Sequence, residues 1–309
     1  MTTAPPAEPK PGLVYALMAL LSLVWGSTWV VISLGLSDVP PFTGAALRFL
    51  VAGGLMLLLA PWLARREGGG RPPRAVVWAQ ALCQFGLNYA LVYVSETVLP
   101  SGLVSVLWAT FPLVLALATH FVTKTERLVG RQWLGLWVSF SGIVLLFATD
   151  IASVGSHGLG MACLVLLAPA AVVWSTLLVK RRASGTSSAY LNRDSMLIGS
   201  AILFALAALF ERDAPVRFTP TALASIAYLA VFGSVVAFGV YLWLLRSVPA
   251  YRLSIISFMT PVVALLLGAL VRGEPLGVTT VSGTALVLLG VGLTLRRSRA
   301  PQSSVELRN

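Results

Sequence analysis

Residues 99–142 read LPSGLVSVLWATFPLVLALATHFVTKTERLVGRQWLGLWVSFSG, and residues 248–290 read VPAYRLSIISFMTPVVALLLGALVRGEPLGVTTVSGTALVLLG. The second stretch repeats the plan of the first. Each has an apolar run with a central proline, a short polar break holding a glutamate, and a second apolar run with spaced glycines. An offset of 149 carries Pro100, Ser105, Pro112, Val114 and Leu117 onto Pro249, Ser254, Pro261, Val263 and Leu266. After one deleted residue, an offset of 148 carries Glu126, Leu128, Gly135 and Gly142 onto Glu274, Leu276, Gly283 and Gly290. The 149 offset also takes Trp25 onto Trp174, so the repeated unit is about half of the 309 residues. A period this long governs every local reading.

Composition sets the solvent. Apolar residues make up 57% of the chain, charged residues 11%, and mean hydropathy is +0.87, whereas a soluble domain carries roughly 25% charged residues. These values indicate a membrane protein. Cys83 and Cys163 lie inside apolar runs and offer packing rather than a disulfide framework. The formal charge of +11 would suggest nucleic acid in a soluble protein, so the placement of the basic residues decides its meaning. Runs of about 20 apolar residues can cross ~30 Å of hydrocarbon. Ten are expected, near 12–36, 42–63, 74–95, 98–122, 131–149, 157–180, 189–210, 219–246, 248–270 and 277–296. With the N-terminus cytoplasmic, 18 of the 22 Lys and Arg fall inside, three (Arg212, Arg217, Arg272) outside, and Arg48 within a span. That is the positive-inside pattern, and it places both termini in the cytoplasm with no nucleic-acid partner. The first run lacks a cleavage site and is expected to stay as a span.

The expected organisation is a disordered tail at 1–11, a five-helix unit at 12–150, a second at 151–297 and a polar tail at 298–309. Within the first span Trp25 falls near mid-membrane and either lines a cavity or packs between helices. Arg48 must face protein or water, or snorkel to the nearer interface. Gln80, Gln84 and Asn88 recur every fourth residue on one face. Gln84 and Asn88 suit a wet cavity, whereas Gln80 suits interhelical hydrogen bonding. Tyr89 and Trp108 continue this polar-aromatic set, as do Trp174, Tyr241 and Ser254 in the second half. Such groups can hold amino and carboxylate ends while packing a side chain. Pro112 and Pro261 are expected to break spans four and nine at matching positions, the best sequence pointer to a transporter's midplane site. His120 reads as an interfacial histidine. Glu126 and Glu274 read as helix-start or loop-bracing residues. Gly135 with Gly142, and Gly283 with Gly290, share one face and permit close helix approach.

Five spans is an odd number, so the two copies are inserted upside down relative to each other. Inverted repeats are a hallmark of secondary transporters, with alternating access around a site where the halves meet. The motifs Pro112, Glu126, Gly135 and Gly142, again as Pro261, Glu274, Gly283 and Gly290, resemble the EamA family of drug/metabolite transporters; Trp25-Gly26-Ser27 and Arg48-Phe49 do too. The resemblance covers about 12–297 and implies an all-α inner-membrane exporter of amino acids or similar small metabolites, with no cofactor. A channel, a lipid scramblase and a proton-coupled drug exporter are the alternatives. Enzyme motifs are absent from the sequence: there is no His-Glu-x-x-His, Gly-x-Ser-x-Gly or phosphate loop, and His157 is at an outer edge. With only Arg48 and His120 as ionisable candidates inside the spans, uniport is the expected energetic mode.

Overall fold

The computed structural model describes residues 11–124, 128–146, 148, 155–183, 185–247 and 250–295; the side chains of 242, 243, 245–247, 250–252, 254, 255, 257 and 258 are not described. The terminal tails and Glu126 lie outside these residues. Among the described residues the chain is helical, apart from one isolated bridge between Gly70 and Thr186. A chain that must satisfy its backbone polar groups in hydrocarbon has few other solutions.

Eight helices are long and apolar enough to cross a membrane. They include Pro11–Gly35 (α1), Pro41–Glu67 (α2), Arg74–Ser95 (α3) and Ser101–Val122 (α4). Further along, after Gly130–Leu146 (α5), come Gly155–Arg182 (α6), Ser188–Phe210 (α7) and a helix at 220–247 (α8). Ala250–Arg272 (α9) precedes Val278–Leu295 (α10), the last of the eight. Local chemistry sets several ends. Pro41 and Pro220 occupy first-turn positions, where a missing N–H is harmless. The Thr219 hydroxyl accepts from the Ala222 N–H at 3.1 Å. Gly68, at φ 70°, closes α2 in the left-handed conformation.

Packing pairs helices from the two halves in opposite chain sense. At the end of α2, Glu67 accepts from the hydroxyls of Ser187 and Ser188 at the start of α7. Just past the end of α7, Glu211 accepts from the Phe42 and Thr43 N–H groups at the start of α2, at 2.6 and 2.8 Å. Each helix thus supplies the acid that holds the other's first turn, where the helix dipole favours negative charge. Between these ends the Ser200 hydroxyl donates to the Ala46 carbonyl at 2.8 Å. The α5–α10 pair is antiparallel as well. A Cβ on Gly142 would lie 2.7 Å from the Gly283 carbonyl, and one on Gly135 would lie 2.6 Å from that of Gly290. The spaced glycines thus let the two backbones touch, as expected, and Ser139 and Gln132 add hydrogen bonds to the carbonyls of Val287 and Thr294.

Span four is broken where the sequence places the break. Ala109 and Thr110 form a turn with ψ near zero (−2° and −8°), and Pro112 falls in the first turn of the helical piece that follows. Span nine differs. Pro261 lies inside the continuous helix α9, so the expected pair of broken spans is one break and one unbroken rod. Proline removes a single hydrogen bond from a helix that is braced elsewhere. Here α1 braces it, with Gly26 packed closely against Val263 and the Thr260 carbonyl.

Among the described residues three helical segments have wider, π-type turns: Ala118–Val122 at the end of α4, and the pair Gln80–Leu87 in α3 and Val231–Val236 in α8. Shifted by 149, 80–87 becomes 229–236, so the irregularity recurs at matching positions of the two repeats. Such turns gather at functional sites.

Candidate functional site

Arg48 is 1% exposed, so it does not snorkel to an interface. It reaches from α2 to the π-turn of α8. Its Nε donates to the Ser234 hydroxyl at 3.1 Å, and Nη2 donates to the Gly233 carbonyl at 3.4 Å. The wide turn opens this position: the Ser234 hydroxyl donates five residues back to the Leu229 carbonyl at 2.9 Å, and its oxygen stays available to Arg48. The guanidinium also lies 4.7 Å from the centre of the Tyr89 ring and 5.1 Å from that of Phe49. Flat aromatic faces suit a delocalised cation in a dry setting.

From Tyr89 a chain of ring contacts crosses between the repeats. It runs through Phe49 (4.6 Å), Phe85 (5.1 Å), Phe238 (6.0 Å), Trp25 (5.9 Å) and Tyr241 (5.4 Å). Trp25 and Tyr241, far apart in sequence, therefore meet, and Phe238 links them to the Arg48 neighbourhood. A second cluster forms beside the break in α4. The Trp108 indole N–H donates to the Asn88 Oδ1 at 2.8 Å, its ring stacks on Phe111 at 5.6 Å, and Trp29 lies 6.2 Å away. Asn88 Nδ2 donates to the Gln84 carbonyl at 3.2 Å. Six of the eight expected residues thus fall in or beside these clusters: Trp25, Tyr89 and Tyr241 in the first, Asn88 and Trp108 in the second, and Gln84 beside the second through its backbone carbonyl.

Trp174 is not among them. It is 60% exposed and shares an outward stripe of α6 with Leu159 and Leu167, as expected for a lipid-facing residue. The repeat places a tryptophan at both positions but does not preserve the face it presents. The Ser254 side chain lies outside the described residues. Gln80 donates to Asn192 Oδ1 at 3.0 Å, an interhelical contact of the expected kind. His120 Nδ1 accepts from the Leu128 N–H at 3.0 Å and braces a turn. Glu274 braces the start of α4, accepting from the Ser101 N–H and hydroxyl at 2.8 and 2.6 Å and from the Gly102 N–H at 3.0 Å.

A cavity of about 280 Å³ lies between α2, α7 and α8, in the half of the bundle that holds Glu67. Met56, Met196, Phe238, Ser234 and Asn192 line it, with Arg66 and Trp62 near its mouth. The Arg66 guanidinium sits 4.0 Å over the Trp62 ring. None of the seven expected residues whose side chains are described lines this cavity. It touches their network through Phe238 and Ser234. A signal for both existed, because the 149 offset maps Tyr89 onto Phe238 and Gln84 onto Gly233, next to Ser234. No group of His, Cys, Asp and Glu among the described residues is arranged to hold a metal.

The model of the EamA-like transporter family matches residues 12–148 and again 159–296. The chain belongs to the EamA-like transporter family. This EamA chain is 30% identical to the uncharacterized inner membrane transporter YedA of Escherichia coli (strain K12), over 84% of this chain and 83% of that one. It is 24% identical to the uncharacterized transporter YoaV of Bacillus subtilis (strain 168), over 88% and 92% of the two chains. It is also 25% identical to the protein PecM of Dickeya dadantii (strain 3937), over 89% and 92%. A solved crystal structure shares the fold at a TM-score of 0.64 and 20% identity, covering 92% of this chain and 98% of that one. The EamA chain is thus a multi-pass membrane transporter.

Proposed function

We propose that this EamA protein exports amino acids or similar small metabolites across a bacterial inner membrane by alternating access. Its ten helices each span the bilayer, both termini and the Glu67 end face the cytoplasm, and two five-helix repeats are related by inversion. The reciprocal caps carry this reading: Glu67 holds the start of α7 while Glu211 holds the start of α2. Both caps are made in this structure, and such end-for-end reciprocity is what two inverted repeats would produce. The cavity in the Glu67 half is the cytoplasm-facing vestibule. Its volume of about 280 Å³ is near the lower bound for small-ligand pockets, ~300 Å³. Its thioether and aromatic walls with Ser234 and Asn192 suit a small zwitterion with an apolar side chain. Trp25, Gln84, Asn88, Tyr89, Trp108 and Tyr241 line the path beyond it.

A metabolite survey of the medium from expressing cells, against cells carrying Phe238→Ala, identifies the substrate. The expected result is enrichment of one or a few amino-acid-like compounds that the variant reduces. Saturable counterflow of that compound in liposomes then distinguishes a carrier from a channel or scramblase. Equal media from the two strains, or flux without counterflow, overturns the reading.

A further inference from the structure

By the sequence limits, Glu96 lies just past the end of span three, 74–95. The structure buries it. The residue follows α3, is 7% exposed, and neither carboxylate oxygen has a hydrogen-bond partner among the described residues. Three charged or titratable groups act on it. Arg48 approaches from α2 and Tyr93 from α3, near enough to act on each other as well, although the Arg48 Nη1 and the Tyr93 hydroxyl lack a partner at full hydrogen-bond geometry. Glu274 approaches from the turn between α9 and α10. Glu274 accepts from the three donors at the start of α4 and acts on Glu96 as a like charge. An ionised Glu96 would therefore be buried without a hydrogen bond and near a like charge, with the charge of Arg48 as its counterweight.

We propose that Glu96 is a proton-binding site that governs the end of the bundle opposite Glu67: that end closes with Glu96 protonated and opens when the proton leaves. Burial first, then the charge of Glu274, pushes the Glu96 carboxyl well above the usual carboxylate range, while Arg48 opposes them. The sign follows from linkage. The closed form holds the proton more tightly, so it is favoured at low pH and lost as pH rises. On opening, Glu96 gains water, its O–H bond breaks, and the proton passes to water on that same side; closing takes one back from that side. No net proton crosses the membrane. Transport is then gated by pH on one face without being driven by a proton gradient, which is compatible with uniport.

The proposal rests on the transporter reading, but its test needs no substrate. In a Cys83→Ala, Cys163→Ala background, Val39→Cys reports on the closed end, where Val39 is 3% exposed. Labelling by a membrane-impermeant thiol reagent is measured across external pH with Glu96 intact and with Glu96→Gln. Dividing the two rates removes the thiol's own titration. The expected ratio rises with pH, by up to about tenfold per unit for a single proton. Infrared spectra of the purified, unsubstituted protein should show a protonated carboxyl band at neutral pH that Glu96→Gln removes. A pH-independent ratio, absence of that band, or a ratio set by sodium at fixed pH overturns the proposal. If the metabolite survey failed while these readouts held, the export reading alone would fall.

Discussion

Arg48 and Ser234, 186 positions apart, are joined by a buried hydrogen bond of 3.1 Å that ties α2 of the first repeat to the π-turn of the second. The 149 offset places Leu197 opposite Arg48, so the second repeat returns no such bond. Replacing Arg48 by Leu leaves the Gly233 carbonyl without this donor, and a buried unsatisfied group costs about 1–3 kcal/mol. Arg48→Lys retains the charge but cannot engage Ser234, Gly233 and the Tyr89 face together. Both variants are expected to melt earlier in detergent, with Arg48→Leu the less stable, and both to slow transport. Wild-type melting and flux in Arg48→Leu would show that the bond is dispensable.

The reciprocal caps should be separable by end. Losing a helix cap costs about 0.5–2 kcal/mol, which is a few-fold to about thirtyfold in an opening equilibrium. Glu211→Gln turns an amide toward the Phe42 and Thr43 donors and should raise thiol labelling at Val39→Cys. Glu67→Gln should raise it at Ala64→Cys, which is 5% exposed near the other end. Each variant should leave the opposite probe unchanged or slower. An increase at both probes in either variant would point to general loosening instead.

Much of this architecture was legible because it rests on period and composition. The spaced glycines predicted a backbone contact, and Gly135 does meet Gly290. The proline of span four marked a real break. Side-chain direction is harder to read, because a 149-residue offset transfers residue type and not the neighbours that decide exposure. Trp174 occupies the position of Trp25 yet faces outward, since α6 turns its opposite side to α3 and α4. Burial of Glu96 depends on α2 and the α9–α10 turn converging on it, and neither lies nearby in sequence. The cavity has the same origin: Met56 and Met196 are ordinary apolar residues in sequence until three helices bring them together with Phe238.

The two tryptophans supply a direct test. Trp25→Ala removes contacts with Phe238 and Tyr241 and should lower the transport rate several-fold. Trp174→Ala removes a ring from an outward face and should leave the rate within about twofold of wild type, because a substitution away from such features is usually worth within ±0.5 kcal/mol. Initial rates per folded protein in liposomes decide it. Equal losses in the two variants would return Trp174 to the pathway.

Pro112 and Pro261 are equivalent by sequence and differ in structure, and inverted repeats give that difference a meaning. If the repeats exchange shapes as access alternates, the opposite state has α4 continuous and α9 broken. Pro112→Ala supplies an N–H that can bond the Trp108 carbonyl four residues earlier, so α4 can run straight through Ala109 and Thr110. This favours the opposite state and should raise labelling at Val39→Cys. Pro261→Ala completes a rod that is already continuous, favours the present state, and should lower the same labelling. Transport slows in both variants because each makes one shape too stable to leave. Measured together, the two variants should move the probe in opposite directions while reducing flux alike. Movement in the same direction would show that the prolines act as independent kinks, and that the repeats do not exchange shapes.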